Sequence, residues 1–256
     1  MIRADFHTHT LYCDGKNTPE EMVLSAIDKG LLILGLSAHS YMPTDEDWCI
    51  DKGKVSDYIA EINTLKEKYK NKIKILCGVE MDYFSEMPTD EFDYVIGSVH
   101  YVLKGGEYIP IDATPEILKD AVNRLFGGDF YALCEEYYKN VADVINKTKA
   151  DIIGHFDLIA KFNENGELFD ENHPRYIKAY KSAVDALIKH DVPFEVNTGA
   201  ISRGYRTSPY PSAKILEYIK EKGGRVILNS DSHNKDTLCF EFDKWEEYIK
   251  DMGFDI

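Results

Sequence analysis

Residues 3–9 read Arg3-Ala4-Asp5-Phe6-His7-Thr8-His9, a short strand-like run that ends in two histidines one residue apart. Side chains two apart on an extended segment point to the same face, so His7 and His9 leave the strand end together. The same logic pairs Asp231 with His233 after the run Arg225 to Ser230. Five further β-rich runs lie between these two, at Leu32 to Ala38, Lys74 to Glu80, Tyr94 to His100, Asp151 to His155 and Pro193 to Asn197. Longer stretches of helical periodicity separate them, and this alternation predicts strand-helix units around a parallel sheet. Six of the eight histidines, His7, His9, His39, His100, His155 and His233, fall at the ends of these runs. In closed α/β barrels, residues at the carboxyl ends of several strands converge on one mouth, and the expectation here is an α/β barrel of that kind.

The helices between the strands carry ordinary signals. Thr18-Pro19-Glu20-Glu21 supplies an N-cap, a proline in the first turn and two carboxylates ahead of apolar Met22, Val23 and Ile27. Lys54 to Tyr69, Asp129 to Lys147, His173 to Lys189 and Ser212 to Lys222 have apolar residues at spacings of three and four, and Trp245 to Lys250 closes the chain. No Pro/Ser-rich linker or internal repeat divides residues 1–256, so one continuous domain is expected.

Composition narrows the function. The chain has 256 residues, of which 44% are hydrophobic, and 30 Lys plus Arg against 45 Asp plus Glu give a formal net charge of −15. An excess of that sign argues against nucleic acid or an anionic membrane as partner. No segment approaches 18 uncharged apolar residues and MIRADFHTHT has no signal-peptide run, so a cytoplasmic protein without a cleaved leader is expected. The five cysteines form no C-x-x-C pair and read as reduced thiols. Imidazole and carboxylate groups without thiolate suit Zn, Mn or Fe, and a carboxylate such as Glu80 can bridge two cations. His173 and His190 lie at helix ends and are read as structural.

These residues resemble the polymerase-and-histidinol-phosphatase (PHP) superfamily of metal-dependent phosphoesterases, and within it the PHP-type histidinol-phosphatases. The similarity runs over nearly the whole chain, through Asp5-Phe6-His7-Thr8-His9-Thr10, Cys13-Asp14-Gly15, Ala38-His39-Ser40, Gly78-Val79-Glu80, Ser98-Val99-His100, Gly154-His155-Phe156-Asp157 and Ser230-Asp231-Ser232-His233. The resemblance implies a distorted seven-stranded (β/α)7 barrel with its metal site at the C-terminal ends of the strands. It implies three divalent cations: one on His7, His9, Glu80 and Asp231; one sharing Glu80 and adding His100 and His155; one on Asp14, His39 and His233. In one respect the chain departs from the pattern. The family often has an acidic residue before the histidine of the second motif, and Ala38 stands here, which leaves the ligand but touches a hydrogen bond that would brace it.

The chemistry expected is hydrolysis of a small phosphate monoester by metal-activated hydroxide. By resemblance the substrate is L-histidinol phosphate, consumed in histidine biosynthesis. Asp157, Asp231 and His233 are candidate donors of the leaving-group proton, and the sequence does not rank them. Arg203 and Arg206 lie in the loop after the sixth run, from which relatives draw a phosphate-binding arginine. Lys161 falls where relatives place another basic contact, and Asn197 either binds substrate or caps the loop. Tyr41, Tyr83, Tyr101, Tyr205 and Tyr210 follow strand ends as candidate pocket walls, and Asp82 is a candidate partner for a substrate amine. Two other readings stay open: a PHP phosphoesterase for a nucleotide or sugar phosphate, and a polymerase-associated structural module. Oligomeric state is not legible.

Overall fold

The computed structural model describes residues 3–44 and 47–256. Seven strands form one parallel sheet in the order β1 (Ala4–Asp5), β2 (Ile33–His39), β3 (Lys74–Asp82), β4 (Tyr94–Ser98), β7 (Ile152–Ile153), β8 (Phe194–Asn197), β9 (Val226–Asn229). The sheet curls until its edges meet. His9 N–H donates to the Ser232 carbonyl at 2.8 Å and Ser232 N–H to the His7 carbonyl at 3.1 Å, which joins the ends of β1 and β9. Below this join, Phe6 N–H reaches Asn229 Oδ1 (3.0 Å) and Ser230 N–H reaches Asp5 Oδ1 (3.1 Å). Asp5, fully buried, is thus part of the seam that makes the sheet a nearly closed barrel.

Helices α1 (Pro19–Asp28), α2 (Val55–Tyr69), α3 (Pro115–Leu125), α4 (Phe130–Thr148), α5 (Pro174–Leu187), α7 (Ala213–Glu221) and α8 (Phe242–Asp251) surround the strands, and α6 (Gly199–Ser202) is a single turn above β8. The expected Thr18 cap forms with its reciprocal Glu21 contact. His173 caps α5 by accepting Arg175 N–H at Nδ1 (3.2 Å), and His190 ends a short 3₁₀ turn. Two elements within Tyr101 to Leu125 were not expected. A hairpin of β5 (Tyr101–Lys104) and β6 (Glu107–Pro110) turns on Gly105-Gly106, both at positive φ, and α3 follows.

Outward-facing residues of the strands pack under the helices, as Leu34, Leu36, Ile75 and Cys77 do beneath α1 and α2. The barrel interior holds a smaller group: Tyr94, Ile96 and Ile152, with Phe6, Leu76 and Ile227. Tyr94 crosses it beneath Gly78 and Gly35 and gives its hydroxyl proton to the Phe6 carbonyl. A Cβ at Gly78 would lie 2.2 Å from the Tyr94 ring, so the Gly78-Val79-Glu80 motif needs glycine for the plug to pass. The plug seals the bottom of the barrel, and the polar residues gather above it.

Candidate metal centre

Register brings the site together. His39 of β2 stands opposite Glu80 of β3, and Asp82 opposite Ser98 of β4. Glu80 lies at the middle of the cluster, buried, with its two oxygens facing different partners. Oε1 lies 2.8 Å from His155 Nε2, 3.4 Å from His100 Nε2, and accepts the Ser98 hydroxyl at 2.7 Å. Oε2 lies 3.1 Å from His7 Nε2, 3.6 Å from His9 Nε2 and 2.7 Å from His39 Nδ1.

Asp231 closes one side, with Oδ1 at 3.2 Å from His9 Nε2 and 3.7 Å from His7 Nε2. Asp14 comes from a tight turn after β1, where Gly15 passes against the His9 and Thr10 backbone too closely to carry a Cβ. Its carboxylate lies 3.6 Å from His39 Nε2 and 3.1 Å from His233 Nε2. His9 is stacked between His39 and His233, with ring centroids 4.2 and 4.1 Å away. Nine residues, drawn from the ends of six strands and from the turn after β1, therefore meet at one mouth: His7, His9, Asp14, His39, Glu80, His100, His155, Asp231 and His233.

Four atoms at the centre, His7 Nε2, His9 Nε2, His39 Nδ1 and Glu80 Oε2, are buried without a hydrogen-bond partner. Leaving one such group unpaired costs about 1–3 kcal/mol, so four converging on the same small volume call for a cation. Three overlapping sets lie close enough to hold an ion: His9, Asp14, His39 and His233; His7, His9 and Glu80; His39, Glu80 and His100. The electrostatics agree. Burial pushes the Glu80 carboxyl up, but His7, His39 and His100 outweigh it and hold it well below the usual range. Asp231 is likewise raised by burial and brought well below that range by Arg203 and His7.

Outer partners orient the ligands. Asp82, read from sequence as a possible substrate contact, is buried and accepts both the His100 backbone N–H (2.9 Å) and its Nδ1 (3.2 Å). With Ala38 in place of an acidic neighbour, both ring nitrogens of His39 face carboxylates of the cluster, Glu80 and Asp14. Glu195, which the sequence reading passed over, lies fully buried beneath His7 with Oε1 2.6 Å from Nδ1. A carboxylate within the apolar run Phe194-Glu195-Val196 was the available signal.

Above the cluster opens a cavity of about 670 Å³, lined among others by Trp48, Tyr101, Asp112, Lys161, Arg203 and Tyr205. Arg203 reaches over the rim, donating to the Asp231 carbonyl (2.9 Å) and to Asp231 Oδ2 (3.0 Å). Lys161 Nζ is held by the Asp112 carbonyl and carboxylate at 2.8 and 3.2 Å.

Three sequence candidates are placed elsewhere. Arg206 is buried away from the cavity, donating to the Ala160 carbonyl at 2.8 Å. Asn197 is fully buried and accepts Gly199 N–H at 2.8 Å, which makes it a brace for the loop and not a wall. Asp157 is also fully buried and accepts the Ser212 N–H at 2.9 Å. Burial raises its carboxyl to about 6 despite the opposing Arg206. Of the five tyrosines, Tyr101 and Tyr205 line the cavity, Tyr41 packs half-buried against the cluster of Met42, Cys49 and Tyr101, Tyr83 bonds Asp143, and Tyr210 is buried.

Comparison with known proteins agrees with this arrangement. Residues 5–199 match the family model described as the PHP domain. A probable histidinol-phosphatase of Deinococcus radiodurans is 30% identical over 264 residues, covering 98% of this chain and 94% of that protein. A solved structure from Listeria monocytogenes superposes with a TM-score of 0.83 at 22% identity, over 94% of this chain and 99% of that one. The histidinol phosphate phosphatase of Lactococcus lactis, solved with Zn, L-histidinol and phosphate, superposes with a TM-score of 0.70 at 25% identity, over 99% of this chain and 94% of that one.

Proposed function

The chain belongs to the PHP domain family, and on that premise we propose that it is a histidinol-phosphatase, a phosphoric monoester hydrolase converting L-histidinol phosphate to L-histidinol and phosphate in histidine biosynthesis. The observation that carries the reading is the group of unpartnered imidazole nitrogens and carboxylate oxygen at the floor of a cavity rimmed by Arg203 and Lys161. His7, His9, Glu80 and Asp231 would hold one cation, Glu80, His100 and His155 a second, and Asp14, His39 and His233 a third. Ligands of this type suit Zn, Mn or Fe. Such ions would supply a water ionised near neutral pH and a clamp for the phosphoryl oxygens.

The chain's own residues do the rest. Arg203 offers a planar guanidinium at the cavity edge, the geometry that suits phosphate oxygens, while its contact with Asp231 holds it in place. Lys161 adds a second positive group to the lining, its ammonium 4.7 Å from the Tyr205 ring centroid. Trp48, whose indole N–H donates to the Tyr101 hydroxyl at 3.0 Å, gives the cavity an aromatic wall against which an imidazole ring can pack. The leaving oxygen needs a proton. Asp231 and His233 line the cavity and Asp157 does not, and the Asp231 carboxyl is held ionised, which favours His233 of the three.

The test is turnover of the metal-loaded enzyme on a panel of phosphate monoesters. Histidinol phosphate is expected to give the highest kcat/KM. A nucleotide or sugar phosphate exceeding it by orders of magnitude would replace this substrate with another, and no hydrolysis of any ester would leave the structural-module reading.

A further inference from the structure

We infer that Glu195 is the positioning residue of the centre, fixing the tautomer of His7 and the backbone of His155 through one carboxylate. The inference rests on the metal-dependent reading above. Glu195 receives four contacts, two at each oxygen. Oε1 meets His7 Nδ1 at 2.6 Å and Asn229 Nδ2 at 3.0 Å, and Oε2 meets the His155 N–H at 2.8 Å and Asn197 Nδ2 at 2.9 Å. The carboxylate therefore ties β8 to β1, β9 and the end of β7.

The orientation of each partner is determined by the backbone. Asn229 Oδ1 accepts the Phe6 N–H, and Asn197 Oδ1 accepts the Gly199 N–H, so each amide must turn its NH2 toward Glu195. The His155 backbone N–H has no alternative to donating. With three donors already directed at it, Glu195 is an acceptor, and His7 Nδ1 must carry the proton of the fourth contact. His7 Nε2 is then the nitrogen left to meet a cation. It faces Glu80 at 3.1 Å and Asp231 at 3.7 Å and is one of the four unpartnered atoms of the cluster. A network of hydrogen bonds from three backbone amides thus decides which nitrogen His7 offers to a cation. Through Asn197 the same network braces the turn at Gly199 that leads to Arg203.

Glu195→Gln makes the inference testable because the shape is kept and one acceptor becomes a donor. The His155 amide cannot change its proton, whereas the His7 ring can. The glutamine oxygen therefore turns toward His155, and its NH2 drives His7 to carry its proton on Nε2. Two measurements follow. Long-range ¹⁵N NMR of the zinc-loaded protein, with the His7 signals assigned by their loss in His7→Gln, is expected to show a proton on Nδ1 and metal on Nε2 in the wild type, and in the variant a proton on Nε2 in the metal's place. Competition with a chromophoric chelator is expected to show zinc affinity weakened roughly 10- to 100-fold in Glu195→Gln, with an unchanged circular dichroism spectrum. A bare Nδ1 in the wild type, or a folded variant binding zinc within twofold of wild type, overturns the assignment. The wild-type NMR result decides the matter if the variant does not fold. Zinc binding by wild type with no change in the variant rejects this inference alone, whereas no zinc binding by wild type rejects the metal reading and this inference with it.

Discussion

At the scale of single residues, charge and burial separate groups that chemistry alone does not. Arg203 and Arg206 are three apart, but only the first lines the cavity, while the second spends its guanidinium on the Ala160 carbonyl. Arg203→Met is expected to lower kcat/KM about 10- to 100-fold, the worth of one charge-assisted hydrogen bond, with Arg203→Lys recovering only part because the fork is lost. Steady-state kinetics on both variants checks this. Asp157 gives a pH-dependent counterpart. Its folded-state value, about 6, lies above the ordinary 3.8, so the stability it contributes is full below pH 3.8 and lost as pH rises through about 6. Relative to wild type, Asp157→Asn should gain on the order of 3 kcal/mol across that window, beyond a constant offset, as measured by urea unfolding at successive pH values.

At the scale of elements, the strands are legible because their apolar runs are short and end in chemistry-bearing residues. All seven expected strands form, several trimmed by a residue or two at their ends. The hairpin and α3 were legible in principle. Lys104-Gly105-Gly106-Glu107 is a two-residue turn, and Thr114-Pro115-Glu116 repeats the cap pattern of Thr18-Pro19-Glu20. The hairpin is easily missed because four residues on either side of the turn are too few to show a periodicity. Gly78 shows what an element's sequence hides, since its reason lies across the ladder on the neighbouring strand, in the Tyr94 ring. Gly78→Ala should cost about 1–3 kcal/mol by overpacking and shift Glu80, so lowered thermal stability and lowered bound zinc are expected together. Calorimetry and metal analysis test the pair.

At the scale of the whole molecule, a chain with net charge −15 gathers three of its 45 carboxylates, Asp14, Glu80 and Asp231, among the histidines of the mouth. Residues from both ends of the chain close the barrel, with Asp5 and His9 on one side and Ser230 and Ser232 on the other. Cations bound at this seam stabilise the closed form by mass action. At a free concentration 100 times Kd, one site contributes about 2.7 kcal/mol, or roughly 5–10 °C in Tm for a chain of this size. Chelation should therefore lower Tm by at least that amount and abolish turnover, and re-addition of zinc should restore both. An unchanged Tm after verified metal removal would contradict the role of the centre in closing the barrel. No helix among the described residues is long and apolar enough to cross a membrane.

The sequence by itself determined the alternation of strands and helices, the seven strand ends and the six histidines that stand there, because these follow from local periodicity and from two-residue spacing; the full set of nine, Asp14 above all, was implied only by the family resemblance. Tertiary structure alone decided which polar residues face the cavity. Arg206, Asn197 and Asp157 carry the same side chains as many binding residues, yet each is turned to a backbone group, the Ala160 carbonyl, the Gly199 N–H and the Ser212 N–H. Glu195 is the converse, a residue within an apolar strand whose importance appears only when β1, β7 and β9 are brought around it. The physical reason is the same in both directions: a buried polar group must find its partners, and those partners are set by strands far apart in sequence.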